Sequence, residues 1–246
     1  LIKTMVMSAT YRQNSTIDPQ EFAVDRSNRY LARGPRYRLD GEVLRDKALY
    51  VSGSLNPRIG GPPVKPYQPE GIWNMVAYSD SNTAHFSQDQ GDALYRRSLY
   101  TFWKRTAPPP NMVVFDVPSR ENCNVRRERT NTPLQALTLM NDPQYVEAAR
   151  QLAERTMLGH GGSASEKIRQ MYTYAFGTKP IEKHHEVLKR SYNKFFSSFT
   201  DNPSDAKSLI QVGDSFPTPG LDPVELASLA MVANQIMNLD SFITKY

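Results

Sequence analysis

The chain has 246 residues, a formal net charge of +5 and a single cysteine. That length suits one large domain or two small ones with a real core. Cys123 alone excludes an internal disulfide, a cysteine-rich zinc site and a C-x-x-C-H haem attachment, and no apolar run approaches the roughly 20 residues of a membrane-spanning helix. The net charge is too small for this length to imply nucleic acid by itself.

Residues 1–10 carry Leu1, Ile2, Met5, Val6 and Ala9 at helical spacing, which predicts the end of an amphipathic helix. A helix without a cap before it suggests a fragment of a longer protein, with targeting signals upstream. Asp18-Pro19 predicts a short capped helix. A second helix starts near Leu39-Asp40-Gly41, buries Leu44, Ala48 and Val51, and stops at Gly53. Residues 54–71 hold five prolines and Gly60-Gly61, so they are expected as an extended loop. Residues 72–93 read as polar and irregular around Trp73 and Tyr78. Ser98–Trp103 is rich in β-formers, and Met112–Phe115 is a candidate partner strand across the prolines at 108–110.

From Thr130 the punctuation is helical. Thr132-Pro133 with Gln135 predicts a capped start, and Asn141-Asp142-Pro143 stops that helix and opens the next. The next helix buries Val146, Ala149, Leu152, Ala153 and Met157. Ser163 and Glu166 form a capping box for a helix ending at Gly177. A further helix covers 181–199 through Val187, Leu188, Tyr192, Phe195 and Phe196. A short helix is expected near Leu209, and Asp222-Pro223 caps a last one through Leu226, Leu229, Ala230, Ala233, Ile236 and Met237. The expected fold is mainly α, with long Pro/Gly-rich loops and at most a small two-stranded β element. The expected organisation is a single domain over 1–246, loop-rich in 1–129 and helical in 130–246.

Chemistry concentrates in one segment. Between Arg96 and Arg129, eight basic residues (Arg96, Arg97, Lys104, Arg105, Arg120, Arg126, Arg127, Arg129) stand against Asp116, Glu121 and Glu128. Guanidinium groups present a planar fork suited to carboxylate, sulfate or phosphate, and a helix opening at Pro133 adds backbone donors behind them. Arg96, Arg97, Lys104, Arg105, Arg126, Arg127 and Arg129, with Trp103, are therefore the candidate ligand-binding set. The more ordinary role for such residues is ion pairing within the chain or with a neighbouring domain. Tyr95, Tyr100, Phe102 and Trp103 interleave with the basic residues, as in nucleic-acid and carbohydrate sites, although core packing is the commoner use of each ring. Cys123 is expected to be buried and inert. His184 and His185 diverge by about 100° on a helix and do not converge on one metal. No metal and no cofactor is assigned to this chain. Nucleic-acid binding has no fold signature here and ranks last.

The strings SATYRQ at 8–13, GGP at 60–62, LYRRSLYTFWKRT at 94–106, RTNTPLQALTLMNDPQYVEAAR at 129–150 and LDSFITKY at 239–246 resemble a planctomycete domain family of unknown function. Members of that family lie C-terminal to a companion domain in large secreted proteins that often carry a cytochrome-c-like domain upstream. The resemblance implies an extracytoplasmic setting and the upstream companion domain as a partner; it carries no catalytic residues. Two functions are compatible with these features. One is an accessory domain that docks its basic, aromatic segment on the companion domain or on an anionic polysaccharide. The other is an enzyme, carbohydrate-active or redox-coupled to the upstream domain, with arginine anion clamps and Asp116 or Glu121 as acid/base groups.

Overall fold

The computed structural model describes residues 1–78 and 80–245. Among them are eleven α-helices and one two-stranded antiparallel sheet, so the fold is mainly α. The helices are α1 (Ile2–Met7), α2 (Pro19–Val24), α3 (Gly41–Ser52), α4 (Pro110–Val113), α5 (Pro133–Asn141), α6 (Pro143–Gly159), α7 (Ala164–Phe176), α8 (Glu182–Asp201), α9 (Pro203–Ile210), α10 (Pro223–Met237) and α11 (Asp240–Ile243). The sheet pairs β1 (Tyr37–Arg38) with β2 (Thr244–Lys245). No helix among the described residues is long and apolar enough to cross a membrane.

Contacts divide the chain into two compact units. The smaller joins residues 1–39 to the segment from Asp240, held by the β1–β2 pair and by Arg36 on Asp240 at 2.8 Å. It has little apolar interior: within 1–39 only Ser15, Asp25 and Gly34 are buried. The predicted apolar stripe of α1 is exposed throughout, with no buried residue on the helix. Six residues give too little length for a self-sufficient amphipathic face. The predicted cap of α2 is present, Asp18 accepting from the backbone N–H groups of Gln20 and Glu21.

The larger unit, residues 40–239, has α10 at its centre, packed against α5, α6, α7, α8 and α9, while α3 lies on α6. The caps read from sequence position these helices. Asp142 caps α6, the Ser163–Glu166 capping box opens α7, and Asp222 caps α10. The predicted faces of α3 and α10 are buried as expected, but Val187 and Phe196 of α8 are exposed.

The expected strands at 98–103 and 112–115 are not formed. Ser98–Tyr100 is a 3-10 turn, Thr101 makes one isolated parallel bridge to Val64, and Pro110–Val113 is α4. β-formers here serve local packing instead: Phe102 and Phe86 flank the buried Trp73, with ring centroids at 5.4 and 5.2 Å. Thr132 does not cap α5 through its side chain, and Gln135 does not close a capping box on it: its amide donates to the Val114 carbonyl and to Thr130 Oγ1.

Two buried polar centres hold the loops to the helices. Arg45 of α3 donates to the Leu94 and Arg96 carbonyls at 2.6 and 2.8 Å, to Ser98 Oγ and to Gln144 Oε1. Burial pulls its pKa below the ordinary arginine value, and Asp46 opposes that shift. The second centre is Glu147 of α6, which is fully buried. Its carboxylate accepts from Tyr67 and Tyr95 hydroxyls at 2.9 and 2.8 Å and from the Ser215 N–H and hydroxyl. Arg150 lies beside it at 3.7 Å and also pairs with Glu154. Gly213, at φ +103, packs directly on the Glu147 carboxyl, where a side chain would collide.

Glu147→Ala leaves two tyrosine hydroxyls, Ser215 and Arg150 without their shared acceptor. It should cost about 3–5 kcal/mol, as expected for breaking a buried pair, measurable by urea unfolding against Glu147→Gln, which keeps part of the network. His185 of α8 is buried with Nε2 at 2.8 Å from Ser165 Oγ. Burial first, then Arg169, holds its pKa below the ordinary value. Its contribution is therefore complete above the unfolded-state value of about 6.5 and is lost as pH falls through it. The stability profile of His185→Gln should be flatter than wild type on the acid side of that value.

Candidate functional site

The segment from Arg96 to Arg129 does not form one surface. Arg96 is buried and turned inward. Its guanidinium donates to the carbonyls of Arg58, Gly60 and Pro62 and stacks on Tyr100, 3.9 Å from the ring centroid. It fastens the Pro/Gly-rich loop and offers no fork to a ligand. Lys104 is likewise engaged, donating to the Thr83 carbonyl at 2.6 Å and lying 4.9 Å over the Trp73 ring. Arg97 is exposed and reaches Asp46 at 3.4 Å, and Arg105 reaches Glu121 at 3.6 Å. Trp103 donates its indole N–H to the Ser119 carbonyl at 3.0 Å, and one ring face is covered by Arg120 at 4.5 Å.

Arg126, Arg127 and Arg129 do come together. With Glu128 and Thr130 they line an open depression of about 390 Å³ on the loop before α5. The neck of this loop is closed by Asp116, which accepts from the Thr130 N–H at 2.7 Å and from its hydroxyl at about 3.0 Å. Asp116 itself has φ +59, a left-handed conformation that costs energy for a non-glycine residue. The base of the loop rests on the start of α3. Gly41 allows this approach: a Cβ there would stand 2.8 Å from Val117 Cγ2 and 2.9 Å from Phe115 Cβ. The flanking acids, Asp40 and Glu42, are thereby brought under the arginines. Arg127 pairs with Glu42 at 2.8 Å and with Asp40 at 3.5 Å, and Arg129 reaches Asp40 at 3.6 Å. The Glu42 hydrogen bond raises the Arg127 pKa, burial opposes it, and the charges of Glu42 and Asp40 add to the rise. Arg126 is exposed and makes no ion pair or hydrogen bond among the described residues.

Of the two carboxylates considered as acid/base groups, Asp116 is held by Thr130 and Glu121 faces Arg105. Neither lines the arginine depression. No group of three or more His, Cys, Asp or Glu among the described residues is placed to hold a metal ion.

Cys123 is not buried; it is free and exposed on the same loop as the arginines. The expectation of burial fails because 118–132 is a surface excursion in which every residue from Ser119 to Asn131 is exposed, Val125 fully so. A second basic concavity escaped sequence reasoning altogether. Residues 14–17, 26–28, 31 and 33–36 line an open pocket of about 830 Å³ that includes Arg26, Arg33 and Arg36. The signal was present as seven basic residues against three acidic ones in the first 39 positions, but no motif or punctuation tied them together.

Native protein should react through Cys123 with one equivalent of an aromatic disulfide reagent without denaturant. A thiol that titrates only after unfolding would contradict the exposed loop.

Residues 1–192 match the family described as PSD1, protein of unknown function (DUF1553). No curated protein and no solved structure matches the chain. The family match covers more than half of the sequence, and the chain belongs to the PSD1 (DUF1553) family, a domain of unknown function.

Proposed function

We propose that this chain is an accessory interaction domain whose Arg126-Arg127-Glu128-Arg129 loop grips an anionic surface. The observation that carries this reading is the uneven state of the three arginines. Arg127 and Arg129 are held in place by Asp40 and Glu42, while Arg126 stands exposed and unpaired beside them. Two braced guanidinium groups and one free one form a shallow, solvent-open field, suited to a repeated charge on an extended partner. A depression this open, with Asp116 and Glu121 both engaged elsewhere and Glu128 the one carboxylate among the described residues of its lining, supports adhesion better than acid/base chemistry by a pair of carboxyl groups.

The anionic partner is an acidic polysaccharide or an acidic face of an upstream companion domain. Resemblance to the planctomycete family of secreted proteins supports both and supports an extracytoplasmic setting. Of the original candidate set, Arg97 and Arg105 remain exposed enough to extend the field, whereas Arg96, Lys104 and Trp103 are occupied by the fold.

Retention on immobilised sulfated and uronic-acid glycans tests this. Wild type should bind in a salt-sensitive way, and Arg126→Ala and Arg127→Ala should each weaken binding about two- to fivefold, the scale of an exposed ion pair. Absence of salt-sensitive retention rejects the polysaccharide; binding to the companion domain is then measured with the same variants.

A further inference from the structure

We propose that the pocket of residues 14–36 binds a sugar carrying a carboxylate or sulfate group, with Arg26 as the principal group on the anion. This pocket shares no residue with the Arg126 loop and does not rest on the function proposed for it.

The lining has a one-sided charge. Three arginines, Arg26, Arg33 and Arg36, border the pocket, and no aspartate or glutamate does. Two of the three are partly committed. Arg36 pairs with Asp240 at 2.8 Å. Arg33 donates to the Asp25 and Arg26 carbonyls at 3.1 and 2.9 Å. Arg26 has no ion pair and donates no hydrogen bond among the described residues; its guanidinium lies 5.7 Å from the Phe22 ring centroid. An exposed arginine beside a ring face, with two further positive groups in the same lining, is arranged to receive an oxyanion.

The rest of the lining is suited to hydroxyl groups. Asn14, Ser15, Thr16 and Ser27 contribute amide and hydroxyl groups, and Ile17, Leu31 and Pro35 supply a short apolar wall. Ser15 is largely buried, and no protein partner for its hydroxyl is found among the described residues. The Asn14 side-chain oxygen already accepts from the Thr16 N–H and hydroxyl, which leaves its NH₂ as a donor. An anion with a hydroxylated body can meet both the arginines and these amide and hydroxyl groups; a bare inorganic anion meets the arginines alone. The volume of about 830 Å³ lies within the range of about 300–1,000 Å³ usual for small-ligand sites, which accommodates one or two sugar rings.

The walls are pre-built. Asn28 accepts from the Arg33 N–H at 3.2 Å and donates to the Arg33 carbonyl at 2.7 Å, closing the 28–33 loop. Asp25 accepts from the Arg29 and Tyr30 N–H groups at 2.8 Å, which lowers its pKa, and it is not part of the pocket lining. Asn28 and Leu31 are both left-handed, at φ +51 and +56. Such conformations cost energy and persist where surrounding contacts over-determine them. Here they hold a concave rim open in a part of the chain with almost no apolar interior.

Isothermal titration of the full chain with glucuronate-terminated and sulfated disaccharides tests the assignment, with the matching neutral disaccharide, acetate and sulfate as comparators. The charged disaccharide of one or both kinds should bind, the neutral one should bind at least about tenfold more weakly, and Arg26→Gln should lose about tenfold, the value of one charge-assisted hydrogen bond. The loss caused by Arg26→Gln should be the same in the wild-type and in the Arg126→Ala background, which separates the pocket from any contribution of the surface loop. Binding of neither charged disaccharide overturns the proposal. So does acetate or sulfate binding as tightly as the sugars, or an Arg26→Gln variant with wild-type affinity.

Discussion

A chain that runs for some eighty residues without a long helix or a sheet must still satisfy the peptide groups it buries. Here arginine side chains do much of that work by donating to backbone carbonyls. Arg45 takes the carbonyls of Leu94 and Arg96, Arg96 takes those of Arg58, Gly60 and Pro62, Arg155 takes Val51, and Arg150 takes Ser215. Each guanidinium reaches several acceptors in a fixed plane, so one side chain can pin a loop that no sheet supports. The helical core depends on this too, since Arg45 joins α3 to α6 through Gln144 while holding the loop between them.

This use of arginine also decides what remains for ligands. Residues that are alike in sequence divide into those facing carbonyls and those facing water. Arg96 and Lys104 belong to the first group, and Arg126 and Arg26 to the second. The two outward groups sit in different surroundings. Around Arg126 the neighbouring arginines are braced by Asp40 and Glu42 on a shallow surface, which leaves Arg126 as the unpaired positive group among the described residues there. Around Arg26 no carboxylate lines the cavity, so the positive field is concave and uncompensated by side chains within it.

The helical half was readable because its signals are local. Asp142, Ser163, Asp222 and the stops at Gly53 and Gly177 act within a few residues of themselves, and periodic burial follows from helix geometry. The irregular half was not, because its partners are distant and often carry no side-chain signature. Nothing around Arg96 announces that it will meet three carbonyls more than thirty positions earlier. The β-formers at 98–103 misled for the same reason: Trp73 draws Phe102 into an aromatic cluster, and a neighbouring strand never forms. Within the candidate set, adjacency in sequence identified Arg126, Arg127 and Arg129 as a group, but the acids that brace two of them come from the start of α3.

The scarcity of apolar burial in residues 1–39 has a dynamic consequence. The larger unit is held by dozens of interlocked aliphatic side chains, so its amides open to solvent only when much of that packing is lost. The smaller unit has Phe242 as its one fully buried apolar side chain among the described residues and relies on hydrogen bonds such as those of Asn28, Asp25 and Arg33. Hydrogen bonds with water close by exchange readily, so deuterium should enter this part of the backbone well before the helices of the larger unit. A molecule that bridges its loops would slow that exchange there and leave α6 and α10 untouched, making amide protection a local gauge of occupancy.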